Sequence, residues 1–194
     1  MKQENPDLLK RGMKLPSKGT GHTLEIGGFD GEFRDFYQEF SEYVERKTGK
    51  ELPEDILERK KEIQEMPDGK KAGLACRFVN EKIDYDLNYV NGKDIISTSE
   101  VIERGRGVCK EYAATLKMLY QMMGVESEYV RGRMPNGNGD REGHAVVKAH
   151  LDDYPASDEV LADPTNGRFG KYESVSERMD FEEGTSLVKY PNNS

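Results

Sequence analysis

The chain of 194 residues has no tryptophan and only two cysteines, Cys76 and Cys109. Two thiols in unlike surroundings do not make a disulfide framework, and they fall short of the ligand set of a zinc site. No stretch approaches the ~18 consecutive apolar residues that a membrane-spanning helix needs. Positive charge is also scarce. Lys and Arg number 29 against 37 Asp and Glu, for a net charge of −8. With no basic stripe interleaved with aromatics, nucleic acid is not expected as the main partner. The opening residues, Met1-Lys2-Gln3-Glu4-Asn5-Pro6-Asp7, have no apolar core, so no signal peptide is visible. A cytoplasmic, reducing compartment is the expectation, and there a free thiol stays usable.

The pattern that is present divides the chain near residue 67. Residues 1–67 read as an arm and a helical extension, and 68–194 as the chemical core with a polar tail. The first 28 residues are polar and punctuated by Gly and Pro, which suits an extended arm. From Gly31 to Thr48, Phe33, Phe36, Tyr37, Phe40, Tyr43 and Val44 fall on one helical stripe, and Gly49 ends the helix. Pro53 is expected to open a second helix running to Met66, with Ile56, Ile63 and Met66 inward. A turn at Pro67-Asp68-Gly69 leads to a third helix over 70–84, whose apolar face holds Cys76 as a buried thiol. Ser97 and Glu100 suit a capping box for a short helix ending at Gly105.

Cys109, His144 and Asp163 are the residues with chemical potential. A thiol attacks well only as thiolate, so it needs a base for its proton, and that base needs a third group to orient it. Cys109 opens a helix to Met123 that carries Ala113, Leu116, Leu119 and Met123 at helical spacing before Gly124. In the first turn a thiol meets unpaired N–H groups and the positive end of the helix dipole. Such cysteines can titrate below the free value of ~8.5. The same N–H groups, that of Val108 among them, can stabilise an oxyanion. Strands are expected over 125–132 and 144–151, joined by a loop with two Asn-Gly pairs. That places His144 at the start of the second strand. Asp163 closes a third, Val160-Leu161-Ala162, because Pro164 cannot donate to a ladder.

The ordered blocks Gly107-Val108-Cys109-Lys110-Glu111-Tyr112-Ala113, His144-Ala145 and Asp163-Pro164-Thr165 resemble the transglutaminase-like, papain-related superfamily. Ile83-Asp84-Tyr85-Asp86 and the run from Ser97 to Gly107 are similar to its approach to the nucleophile. The resemblance covers Gly69 to about Gly170. It implies an α+β fold in which N-terminal helices pack on a small antiparallel sheet, with the nucleophile at the N-terminus of the central helix. It also implies thiol-mediated acyl transfer: amide hydrolysis, deamidation, or transfer to an amine. The triad would be Cys109, His144 and Asp163, and Tyr85 would help polarise the substrate carbonyl. Peptide or protein substrates are implied, and neither metal nor organic cofactor. The family often carries Trp after His-Ala and before the Asp-Pro-Thr block. Val146 and Leu161 stand there instead, so no deep aromatic tunnel is implied.

Plainer readings compete at each position. Cys109 alone reads as a buried structural thiol. His150 lies on the same strand face as His144, and Asp163 can simply cap the turn at Pro164. Glu111 points away from Cys109 and complements the helix dipole. The acidic linker 151–159 reads as a solvated hairpin loop, or as a charge that disfavours anionic substrates. A catalytically silent peptide- or protein-binding module on the same fold is the alternative to an enzyme. Oligomeric state is not legible.

Overall fold

A computed structural model describes residues 13–16, 23–26, 32–89, 98–135, 138, 140–153, 159–171, 180–181 and 188–189. Two short strands, β1 (Met13–Pro16) and β2 (Thr23–Ile26), pair antiparallel within the region read as an extended arm. Three helices follow: α1 (Glu32–Thr48), α2 (Ile56–Gln64) and α3 (Asp68–Lys82). All six residues of the aromatic stripe on α1 are buried. Phe78 of α3 is its socket, with ring centres 5.1 Å from Phe36, 5.4 Å from Phe40 and 5.4 Å from Tyr43. Each such pair adds about 0.5–1.5 kcal/mol to simple burial.

Two helix starts differ from expectation. Asp55, not Pro53, opens α2, because its carboxylate accepts the N–H groups of Leu57 and Glu58 and so satisfies two orphan donors. The run Pro67-Asp68-Gly69 is the beginning of α3 rather than a separate turn, with Pro67 at the cap. Ser97 lies outside the described residues, and Glu100 instead pairs with Arg104 one turn along α4 (Thr98–Arg104).

Between α3 and α4 the chain forms β3 (Asp84–Tyr85), which pairs parallel with β4 (Arg106–Gly107). Directly after β4 comes α5 (Cys109–Met122), ended by Gly124 in the left-handed region at φ 72°. This helix is buried around nearly its whole circumference, Glu111, Thr115 and Lys117 included. It lies against α3 and α4 and against the main sheet.

That sheet runs in the order β10-β5-β6-β7-β8, with β9 also pairing β5. Its strands are β5 (Ser127–Pro135), β6 (Arg141–His150), β7 (Glu159–Asp163), β8 (Arg168–Lys171), β9 (Asp180–Phe181) and β10 (Val188–Lys189). Alternation assigns Tyr129, Val147, Ala149 and Ala162 to the core shared with α5, and Val130, Val146 and Leu161 to a smaller cluster. Strands β8 to β10 occupy part of what the sequence shows only as a polar tail. Among the described residues no helix is long and apolar enough to cross a membrane.

Gly107 joins the fold to the site. A Cβ there would lie 2.8 Å from Glu111 Cβ, whereas one at Gly73 would meet only Phe169 Cδ1 at 3.4 Å. Gly107→Ala is therefore expected to destabilise by about 1–3 kcal/mol through overpacking. Gly73→Ala, in a helix interior, should be neutral or stabilising by up to about 1 kcal/mol. Urea unfolding of the two variants checks the contrast.

Candidate active site

The site forms where the N-terminus of α5 meets the ends of β6 and β7. Val108 precedes the helix in an extended conformation, with φ −112° and ψ −177°. Its N–H donates to Glu111 Oε2 at 3.0 Å. Only this half of a capping box can form, since valine has no side-chain oxygen to return the bond. Glu111 therefore does more than complement the dipole: it folds back to fix the first turn, and burial pushes its carboxyl up despite Lys110 and the backbone donors beside it. The same bond bears on the oxyanion contact expected of Val108. Its N–H is taken by Glu111 and its side chain is buried. The N–H of Cys109, the first helical residue, is the next donor along.

His144 is the fourth residue of β6, opposite Gly132, rather than the first. Strand β5 continues past Gly132 and pairs Pro135 with Arg141, so the hairpin extends beyond the histidine. The loop shrinks to residues 136–140, of which 136, 137 and 139 lie outside the described residues. Asp163 ends β7 just before Pro164, as expected.

His144 Nε2 stands 3.0 Å from Asp163 Oδ2. The carboxylate oxygen lies off the axis of the ring N–H, so the contact is an ion pair more than an aligned hydrogen bond. Burial of the ring works against its charge. Hydrogen bonding and charge from Asp163 and Cys109 outweigh burial, and together they raise the imidazole to about 9. Asp163 is buried too, which by itself would raise its carboxyl. Its contacts with His144 and Asn166 reverse that and leave it lowered. With Nε2 turned to Asp163, Nδ1 is the nitrogen left for the sulfur. The Cys109 Sγ–H also has a weak acceptor in the Gly143 carbonyl at 3.9 Å.

The two plainer candidates sit elsewhere. Cys76 is fully buried on α3, where its S–H donates to the Arg168 carbonyl at 3.4 Å. Burial, then the charge of Asp163, pushes this thiol up to about 12. His150 faces Glu128 Oε1 at 3.6 Å, six residues and about 20 Å of strand from His144. The acidic linker after His150 leaves from that same far end of β6, away from the cleft, and its residues 154–158 lie outside the described ones.

Tyr85 is held at the site. It pairs with Gly107, two residues before Cys109, and its ring centre is 6.3 Å from that of Tyr112. The Tyr112 hydroxyl donates to the Ile83 carbonyl, which ties this strand to α5.

Sequence reasoning did not single out two asparagines here. Asn166 donates through Nδ2 to Asp163 Oδ2 at 2.8 Å and through its backbone N–H to Oδ1 at 3.3 Å. Asn80 reaches from α3 to the carbonyls of Pro164 and Thr165 at 2.8 and 3.1 Å. Gly167, at φ 62°, closes this turn with Asn80 Oδ1 only 3.0 Å from where a Cβ would stand. The one available signal was turn chemistry, Asn and Gly after Asp-Pro. Among the described residues no group of three or more His, Cys, Asp or Glu is arranged to hold a metal ion.

A thiol at the start of a buried central helix, with imidazole and carboxylate on neighbouring antiparallel strands, is the architecture of the papain-like α+β class. The family model of the transglutaminase-like superfamily matches residues 50–155, more than half of the chain, and the chain belongs to that superfamily. Calcium-bound LapG of Legionella pneumophila is 13% identical over 84% of this chain and 88% of its own, with a TM-score of 0.53. A candidate cysteine protease from Cytophaga hutchinsonii is 16% identical over 70% of this chain and 43% of its own, with a TM-score of 0.42. A solved TGase is 15% identical over 67% and 38%, with a TM-score of 0.40. The chain thus spans less than half the length of these last two. At such identities the likeness is one of fold. No protein of curated function matches the sequence.

The pH dependence follows from the two directions. The folded state holds the His144 proton more tightly than the unfolded chain. That stabilisation is complete below the ordinary value of 6.5 and is lost as pH rises through about 9. Asp163 is lowered, so its share is present above the ordinary carboxylate range and is lost as pH falls through its folded value. The histidine share is on the order of 3 kcal/mol. In Asp163→Asn only Cys109 is left to offset burial, so the His144 imidazole should titrate lower than in the parent by NMR. An unchanged titration would mean that Asp163 does not govern the ring.

Proposed function

We propose that the chain is a cysteine-nucleophile amide hydrolase or acyltransferase acting on peptide or protein substrates. In this reading Cys109, His144 and Asp163 form the triad, residues 68–194 carry the chemistry, and 1–67 brace it. The observation that carries the proposal is the His144 ring, close to a buried carboxylate on one side and to the Cys109 sulfur on the other, with its proton affinity raised to about 9. Such a ring stores the thiol proton at neutral pH.

The sulfur attacks the amide carbonyl carbon, and the C–S bond forms as the C=O π pair moves onto oxygen. The N–H of Cys109 meets that oxyanion at the positive end of α5, and the Tyr85 hydroxyl approaches from β3. As the intermediate collapses, the C–N bond breaks and the amine leaves with the proton from His144. A thioester remains. Water or a primary amine then attacks and returns a proton to His144, and the C–S bond breaks to restore the sulfur. Asp163 keeps the ring oriented throughout and stabilises its charged form. No electrons are exchanged with an outside partner, so these steps call for no redox cofactor.

Release of ammonia from glutamine-containing peptides, and of new amino termini from protein substrates, tests the reading. Cys109→Ala should abolish turnover while thermal unfolding stays close to that of the parent. Adding a primary amine separates amine transfer from hydrolysis, because only transfer incorporates it. Turnover that survives in Cys109→Ala would overturn the mechanism.

A further inference from the structure

Asp163 is held by a turn, and the turn is held by a helix. One stripe of α3, at residues 73, 76 and 80, meets the segment from β7 to β8 at three levels. The Phe169 ring lies against Gly73, where a Cβ would come within 3.4 Å of it. Next along the helix, Cys76 donates its S–H to the Arg168 carbonyl at 3.4 Å. Furthest along, Asn80 Nδ2 donates to the carbonyls of Pro164 and Thr165 at 2.8 and 3.1 Å. The first two contacts reach β8. Of the three, Asn80 alone bonds the turn itself.

Those two bonds use both hydrogens of the Asn80 amide, which fixes its orientation. Its other end faces Gly167, with Oδ1 only 3.0 Å from where a Cβ would stand. A side chain at 167 would press the amide off its carbonyls.

The consequence for the site runs through one peptide group. The Thr165 carbonyl and the Asn166 N–H belong to the same planar, trans unit and point in opposite directions across it. Asn80 holds the carbonyl, and the N–H donates to Asp163 Oδ1 at 3.3 Å. Rotating the plane to break one bond breaks the other, and the two bonds polarise each other through the peptide group. The Asn166 side chain adds its own bond to Asp163 Oδ2 at 2.8 Å. Both Asn166 bonds favour the charged carboxylate, as His144 does, against the burial that opposes it. The charges that bear on the His144 ring come from Asp163 on β7 and Cys109 on α5. On α3, Cys76 stands within reach of the Asp163 charge.

We propose that Asn80 is a positioning residue of this site: it fixes the Thr165–Asn166 peptide plane, and through that plane it presents the Asp163 carboxylate to His144. Asn80 touches neither the sulfur nor the imidazole. Its effect on Asp163 stands apart from the thiol chemistry, and the inference rests on the proposed triad only for the effect on turnover.

The test is Asn80→Leu in the full chain, a change that keeps the bulk of the side chain and removes both donors. With the plane released, Asp163 loses a bond that favours its charge, so it should take up its proton at higher pH. Carboxyl carbon NMR reads this directly, and the expected rise in proton affinity is about threefold or more, the share of one bond among the few that stabilise a carboxylate. Urea unfolding agrees when the loss of stability on acidification begins at higher pH than in the parent. Ile63→Val, a core truncation on α2, lowers stability without removing a donor and should leave the Asp163 titration where it was. If Asn80→Leu does not fold, Asn80→Ser gives the same readout, because one hydroxyl hydrogen cannot serve two carbonyls. An unmoved Asp163 titration in the folded variant would reduce Asn80 to a brace of the fold and overturn the proposal, as would an equal movement in Ile63→Val. Failure of the triad would appear instead as absent turnover in the parent, with the Asp163 shift in Asn80→Leu still present.

Discussion

The contact between His144 and Asp163 sets the terms for everything around it. Asp163 is almost wholly buried and His144 largely so. A buried carboxylate or imidazolium alone would shed its charge or cost several kcal/mol. Each is tolerable because the other is 3.0 Å away. The pair therefore dictates where β6 and β7 must lie, and the surrounding polar bonds fix it there. Asn166 holds both carboxylate oxygens of Asp163, and Asn80 locks the turn that carries Asn166. Around the sulfur the same economy applies. Glu111 secures the start of α5, and Gly107 leaves room for it.

The chain also contains its own control. Its two thiols share one redox compartment but not one environment. Cys76 is sealed among apolar side chains, and burial and Asp163 both oppose its ionisation. Cys109 is partly open, at a helix N-terminus, beside a ring that can take its proton. Thiol reactivity follows surroundings rather than residue type.

How much was legible in the sequence follows the range of the interactions. Periodicity reports which face of a helix is apolar, and the stripe from Phe33 to Val44 is buried as a set. Cys109 and Asp163 were easier to place, because each sits at the end of an element, where local turn and cap signals mark the boundary. Strand register is a different kind of fact. It depends on how far two chains go on bonding past Gly132, so the position of His144 within β6 was misjudged by three residues. Side chains that fold back or reach across carry no periodic signature. Glu111 was seen as a dipole partner and not as the cap that occupies the Val108 N–H, and the reach of Asn80 spans 84 residues of sequence. Asp55 took the helix start from Pro53 because a carboxylate can satisfy two amides, whereas a proline only avoids needing one.

The central claim is that His144, charged and held by Asp163, governs the reactivity of Cys109. The most direct measurement is the rate at which iodoacetamide alkylates Cys109 at pH 7, followed site by site by mass spectrometry, with buried Cys76 as the internal reference. The account predicts fast alkylation of Cys109, none of Cys76 in the folded state, and a fall of about tenfold or more at Cys109 in His144→Ala. Equal rates at Cys109 in the parent and in His144→Ala would contradict it.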